Sequence, residues 1–226
     1  MPAPALVLFD LDDTLCDYSG ARAGRLKGAF GNAFAASGMS IDNLDDLVAQ
    51  SIAIHPHGSD HFADLLASHG VTDGELQQLA KRWYQQNRFL GLQLYADTIT
   101  VMNQVRETPG VRSIGLVTNG PAEIQRDKIK MLKLEPHIDF AVISGEFGFE
   151  KPDAAIFSEA FRNGHADASD AIYVGDSPEF DIEGARAAGI REVWYNRNRV
   201  EWPLQTRAPQ HVIYRLPDLL PILHDT

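Results

Sequence analysis

Apolar residues follow two regimes along the chain, and the switch between them predicts its architecture. Ala5–Phe9 is a short apolar run that ends at Asp10 and reads as a buried strand. From about Ala21 to Phe89 the spacing turns helical. Leu26, Phe30, Ala33 and Phe34 recur on one helical face, with Gly38 just beyond as a stop. Phe62, Leu65 and Leu66 mark a further helix, closed by Gly70. Thr72-Asp73-Gly74-Glu75 then has the form of a capping box ahead of Leu76, Leu79, Ala80 and Trp83.

Beyond Asp97 the two periods alternate. Ile99, Met102 and Val105 predict a helix and Ile114–Thr118 a strand. The next helix has Pro121 near its first turn and Ile124, Met131 and Leu132 inward. Phe140–Ile143, Ala171–Gly175 and Ile190–Trp194 are further strands, separated by helices over Ile156–Phe161 and Ile182–Ala188, and His211–Tyr214 adds an edge strand. Buried strands alternating with helices predict an α/β fold built on a doubly wound, Rossmann-like parallel sheet. The helical block is inserted after the first strand, which divides the chain into a core over 1–16 and 93–226 and a helical cap over 17–92.

Composition narrows the function classes. A chain of 226 residues with 44% hydrophobic and 23% charged residues is an ordinary globular sequence, long enough to bury a sizeable core. No apolar run approaches the roughly 20 residues needed to span a bilayer. The start, Met1-Pro2-Ala3-Pro4, has no signal-peptide pattern, and the single Cys16 rules out an internal disulfide framework, so a cytoplasmic location is expected. A net charge of −11 disfavours nucleic-acid polymers and anionic membranes as partners. It also repels a small phosphorylated substrate at long range, so a phosphate site needs local cations.

Ligands of open parallel sheets bind beyond the carboxyl ends of the strands, and four polar clusters fall there. Phe9-Asp10-Leu11-Asp12-Asp13-Thr14 carries a pair of carboxylates two residues apart, Asp10 and Asp12, that one turn can aim into a common volume. Thr118-Asn119-Gly120-Pro121 offers a hydroxyl and an amide, suited to a phosphate oxygen at a helix start or to simple N-capping. Glu150-Lys151-Pro152-Asp153 places a cation before a helix, where only a nearby anion justifies it over an exposed lysine. Gly175-Asp176-Ser177-Pro178-Glu179-Phe180-Asp181 brings two more aspartates; capping accounts for Asp181 but not for Asp176. Together Asp10, Asp12, Asp176 and Asp181 converge if their strands are neighbours, and such a group repels itself unless a cation sits among them. An all-oxygen donor set points to Mg²⁺, with Thr118 and Lys151 left to bind phosphate.

These four clusters, in this order and strand context, resemble the motifs of the haloacid dehalogenase superfamily from Asp10 to Asp181. Asp12 is the residue that separates its phosphatases from its dehalogenases; Asp13 departs from a pattern that often has Gly there, and has no catalytic role. The resemblance implies a phosphatase in which Asp10 is the nucleophile and Asp12 the general acid and base. It further implies that Thr118, Asn119 and Lys151 bind the phosphoryl oxygens. Asp10, the Asp12 carbonyl and Asp176 would hold Mg²⁺, with Asp181 supporting them. Asn119-Gly120, Gln125-Arg126-Asp127-Lys128 and Trp194-Tyr195-Asn196 are similar to a subgroup of nucleoside 5′-monophosphate and N-acylneuraminate-9-phosphate phosphatases. A small phosphorylated metabolite is the expected partner, with the protein a monomer or homodimer. The rival readings are a sugar-phosphate mutase, a receiver-like signalling domain and a dehalogenase.

Other residues invite chemistry less. His55, His57 and His61 read first as a surface loop, next as a substrate contact from the cap and least as a transition-metal site, for no cysteine or matching ligand pair accompanies them. Cys16, among Asp12, Asp13 and Asp17, reads as packing rather than a nucleophile. Trp83 and Tyr84 belong to the helical core or its rim, and Arg22 and Arg25 are expected in solvent.

Overall fold

Leu6–Phe9 form strand β1, four residues with no solvent exposure, and the sheet is assembled around it. The structure, a computed structural model, describes residues 3–54 and 58–224. Four helices follow β1: α1 (Tyr18–Ser37), α2 (Leu44–Ile54), α3 (Phe62–Ser68) and α4 (Gly74–Gln86). The alternating part then runs α5 (Thr98–Glu107), β2 (Ser113–Thr118), α6 (Ala122–Met131), β3 (Phe140–Ile143), α7 (Ser144–Phe147), α8 (Ala154–Gly164) and β4 (Ala171–Gly175). A π-helical turn, Pro178–Glu183, leads into α9 (Gly184–Ala187), and β5 (Arg191–Tyr195), β6 (His211–Ile213) and α10 (Leu219–Ile222) complete the chain.

All six strands are parallel, in the order β3-β2-β1-β4-β5-β6. The α/β expectation holds, and His211–Ile213 is the edge strand. Because β1 is central, β2 and β3 build one side of the sheet and β4 to β6 the other. The strand order therefore reverses at β1, which is where such sheets open a crevice. Phe9 pairs with both Leu116 and Val174, so Asp10, Thr118 and Asp176 leave the sheet at the same edge. Burial on both faces explains why these strands read as continuous apolar runs rather than as alternation. One face packs Leu6, Leu8, Val117 and Tyr173 against Ile156 and Phe157 of α8.

Contacts divide the chain into two compact units, Met1–Asp17 with Leu94–Thr226, and Tyr18–Gln93. The second unit has its own core, in which Leu26, Phe30 and Phe34 of α1 meet Leu47, Phe62, Leu66 and Tyr84. Leu76 and Trp83 lie partly buried along its margin. Helix α4 is capped by Asp73, whose carboxylate accepts from Glu75 N at 2.8 Å, so Thr72 is not the cap that the capping-box pattern suggests. Arg22 and Arg25 are not in solvent: both are 2% exposed, because each finds polar and aromatic partners inside the helical unit. Arg22 donates to the Tyr84 hydroxyl and Arg25 to the Arg88 carbonyl, and both guanidinium groups lie over the Tyr84 ring. His61 is tied to Ser51, its Nε2 lying 2.7 Å from Ser51 Oγ; His55 and His57 lie outside the described residues.

Helix α6 follows its expected pattern at Leu132, which is buried, but departs from it elsewhere. Its buried residues are Gln125, Lys128 and Ile129, while Met131 is 40% exposed. The helix is rotated so that two polar side chains face inward, and their partners lie in the site.

Candidate active site

Asp10 follows directly on β1 and is 5% exposed, its backbone N–H held by Val174 O at 2.9 Å. Lys151, 3% exposed, donates to Asp10 Oδ1 and Asp181 Oδ1, each at 2.6 Å, and to the Tyr173 hydroxyl at 3.0 Å. An ammonium has three hydrogens, and these three acceptors take them all. The buried anion that would justify this lysine is thus a pair of carboxylates. Asp181 does not cap a helix: Oδ1 also accepts from Tyr173 at 2.8 Å and Oδ2 from Ser177 N at 2.9 Å, and Ser177 is the cap. A Cβ on Gly175 would stand 2.4 Å from the Asp181 carboxyl carbon, so only glycine lets this approach occur. Asp176 accepts from Thr14 Oγ1 at 3.4 Å, and its carbonyl from Trp194 Nε1 at 2.8 Å.

Asp12 is held separately. Lys128 donates to Asp12 Oδ2 at 2.6 Å, and Gln125 Nε2 reaches the same oxygen at 3.3 Å and Thr118 Oγ1 at 2.5 Å. Among the described residues, the hydrogen bond to Asp12 Oδ1 comes from the Cys16 thiol at 3.7 Å. The turn is closed by Asp13 N donating to Cys16 O at 2.9 Å, with Asp13 in the left-handed region at φ 59°. That conformation is costly for most L-residues and tolerated by aspartate, which accounts for Asp at a position suited to Gly. Neither Thr118 nor Asn119 caps α6, whose N-cap is Pro121. The Asn119 side chain instead grips the Lys151 backbone, donating to its carbonyl at 3.0 Å and accepting from its N–H at 2.8 Å.

The structure thus gathers Asp10, Asp176, Asp181 and Lys151 in one cluster, and links Asp12 to Thr118 through Gln125. Sequence reasoning gave no site role to Lys128 or Gln125, noted only for the subgroup resemblance, and missed Tyr173. Lys128 and Gln125 fall one helical turn apart after Thr118, a spacing that puts both on the face turned to the strand end. Tyr173 is the one hydroxyl in an apolar strand, and a buried phenol demands a partner.

Burial pushes the Asp10 carboxyl up to about 7; Lys151 opposes the rise, and Asp181 and Asp12 add to it. Burial, then Asp181 and Asp10, holds Asp176 well above the usual carboxylate range. Burial works against charge on Lys151, yet Asp10 and Asp181 outweigh it and keep its ammonium above its ordinary pKa. Cys16 is pushed up by burial and by Asp12, so it packs as a thiol rather than acting as a nucleophile. Oxygens of Asp10, Asp176 and Asp181 lie within 4.8 Å of one another and could hold a metal ion. With all four carboxylates ionised against Lys151 and Lys128, two negative charges remain unbalanced. A hard dication matches both that charge and the oxygen donors.

The model of the family described as haloacid dehalogenase-like hydrolase matches residues 7–195. Glyceraldehyde 3-phosphate phosphatase of Methanopyrus kandleri is 33% identical over 201 residues, 86% of this chain and 85% of that protein. Human N-acylneuraminate-9-phosphatase is 28% identical over 237 residues, 95% of this chain and 92% of that protein. Among solved structures, a 2-haloacid dehalogenase from Pseudomonas syringae pv. tomato DC3000 gives a TM-score of 0.64 at 29% identity, covering 99% of this chain and 98% of that one.

Proposed function

The chain belongs to the haloacid dehalogenase-like hydrolase family, and from that premise we propose that it is a Mg²⁺-dependent phosphatase of small phosphomonoesters. The observation that carries this reading is the second carboxylate, Asp12, ion-paired with Lys128 two residues beyond the buried Asp10. Displacing halide needs a nucleophile alone. Releasing an alkoxide from phosphorus also needs an acid, and then a base for water.

In the proposed reaction an Asp10 carboxylate oxygen attacks phosphorus in line, and the bond from phosphorus to the ester oxygen breaks. Asp12, protonated, gives its proton to the departing alkoxide. Water then attacks the aspartyl phosphate while Asp12 takes a proton from it, and inorganic phosphate leaves Asp10 as a carboxylate again. Lys151 stabilises the ionised nucleophile and, with Thr118 and the Asn119 segment, the charge that develops on the phosphoryl oxygens. Lys151 makes that contact in exchange for one of its three present bonds.

The residues that would hold Mg²⁺ are Asp10, the main-chain carbonyl of Asp12, and Asp176. Asp181, whose two oxygens are already engaged, supports them. When bound, the ion neutralises phosphoryl charge and shields these carboxylates from one another. The helical unit Tyr18–Gln93, placed in the chain between Asp10 and Thr118, is proposed as the cap that selects the substrate. The two named relatives, phosphatases of a triose phosphate and of a sugar-acid phosphate, support a phosphorylated sugar as the substrate class, with a nucleotide as the alternative.

A phosphate-release screen over sugar phosphates, triose phosphates, pyrimidine nucleotides and phosphoglycolate, with and without Mg²⁺, tests this. Turnover that EDTA removes and Mg²⁺ restores is expected. Chloride release from a 2-chloro acid, without phosphate release from any ester, would replace the proposal with dehalogenation.

A further inference from the structure

The two oxygens of Asp12 are unequally held. Oδ2 takes an ammonium hydrogen from Lys128 at 2.6 Å and an amide hydrogen from Gln125 at 3.3 Å. Oδ1 has a thiol at 3.7 Å, beyond the range of a strong bond. Lys128 is 4% exposed and Gln125 1%, so neither side chain has a solvent role to explain its place in the helix. Both come from α6, and Gln125 also bonds the Thr118 hydroxyl, which ties the orientation of Asp12 to the end of β2.

We propose that Lys128 and Gln125 are positioning residues that fix Asp12 through Oδ2, leaving Oδ1 as the oxygen that exchanges protons with the leaving group and with water. The inference rests on the phosphatase reading of the same site. In the first step the Oδ1–H bond breaks as the alkoxide takes the proton and the phosphorus–alkoxide bond opens. In the second, Oδ1 takes a proton from water while the water oxygen bonds phosphorus and the phosphorus–Asp10 bond opens. Lys128 takes no part in either proton transfer; its charge and reach orient the carboxylate.

Lys128→Met, which keeps length and removes the charge and the donors, is the test. On an alkyl phosphomonoester kcat should fall about 10- to 100-fold, with KM within about threefold of wild type. On p-nitrophenyl phosphate, whose leaving group needs no proton, the first turnover should persist. A stoichiometric burst of p-nitrophenol should precede a slowed steady state, because water activation limits it. Lys128→Arg should recover at least about a tenth of wild-type kcat, because a guanidinium restores charge and donors toward Oδ2. Asp12→Asn should keep the burst, and adding Lys128→Met to it should change the burst rate by less than about twofold, as expected of residues acting as one unit.

A raised KM with kcat unchanged, or a further large loss in the double variant, would make Lys128 a phosphate ligand and overturn the inference while the phosphatase reading stands. If Lys128→Met does not fold, Gln125→Leu should show the same burst and the same kcat-only loss, smaller in size, and its absence overturns the inference. No turnover of any phosphate ester by the wild-type protein defeats the phosphatase reading itself, and this inference with it.

Discussion

Asp10 and Asp12 lie two residues apart on one loop, yet their surroundings differ in kind. Around Asp10 the side chains close on themselves: Lys151 spends its three hydrogens on Asp10, Asp181 and Tyr173, and the side chains of the ion pairs are between 1% and 8% exposed. Around Asp12 the network stays open, with the carboxylate 23% exposed and one oxygen only weakly engaged. A nucleophile has to present one oxygen in one direction, and a closed network ensures that. A group that passes protons to different acceptors needs one oxygen anchored and the other accessible. On the proposed mechanism the two lysines serve different ends, and substitutions should separate them.

Asp10→Asn should produce the largest effect, a loss of at least about 10⁴-fold in phosphate release, since the amide cannot form the acyl phosphate. Measurable multiple turnover by that variant would remove Asp10 from its role. Next comes stability. Lys151→Met strands two buried carboxylates and should cost about 3–5 kcal/mol in urea unfolding of the metal-free protein. Lys128→Met removes a charged bond from a partly exposed partner and should cost about 1.5–3 kcal/mol. Equal costs would mean that the closed and open networks are energetically alike.

Metal and pH sharpen the contrast further. The folded pKa of Asp10 is raised to about 7 from 3.8, so in that window the native state binds the proton that the unfolded chain has lost. Stability therefore falls as pH rises through the window; the penalty is absent below the unfolded pKa and complete above the folded one. Without metal, Asp10→Asn should be more stable than wild type at pH 8, and the gap should close toward pH 4. Saturating Mg²⁺ should stabilise wild type at pH 8 by binding the native state alone. Urea midpoints with EDTA and with Mg²⁺ decide it; a gap that widens toward pH 4 would contradict the electrostatic account.

Much of the closed network was legible in the amino-acid order, because its residues follow apolar strands directly. Leu6–Phe9, Ser113–Thr118 and Ala171–Gly175 are continuous apolar runs, and the polar residue after each one stands out. The open network was less legible because its donors sit in a helix, where Gln and Lys are the commonest of surface residues. The pattern of α6 suggested Ile124, Met131 and Leu132 as the inward face; Leu132 is buried, but the charge on Asp12 turned Lys128 inward and left Met131 out, since an ammonium with a carboxylate partner outcompetes a methionine for the inward position. The same logic misplaced Arg22 and Arg25. Their burial depends on carbonyl and aromatic partners up to 63 residues away in the chain, which no local pattern encodes. Tyr173 was hidden for the opposite reason, since it passes for an apolar residue in a strand.

Two smaller effects test how finely the site is built. Gly175→Ala would set a methyl 2.4 Å from the Asp181 carboxyl carbon, and should destabilise the protein by about 1–3 kcal/mol as the carboxylate is displaced from Lys151. If a crystal structure of that variant kept the 2.6 Å contact between Asp181 and Lys151, the close approach would not be what demands glycine.

Asp13 should matter least. It shares the loop with both carboxylates, and its charge adds to the repulsion felt by Asp176, but its backbone already adopts the turn at φ 59°. Asparagine tolerates that conformation equally well, so Asp13→Asn isolates the charge from the backbone. Removing one negative charge near the carboxylates should weaken apparent Mg²⁺ affinity about two- to fivefold, equivalent to roughly 0.4–1 kcal/mol. Since Asp13 is assigned no bond to reacting atoms, kcat at saturating Mg²⁺ should stay within about threefold of wild type. A loss of kcat that excess Mg²⁺ does not repair would mean that a third carboxylate of the loop takes part in the chemistry. The division between one fixed and one half-free aspartate would then be too simple.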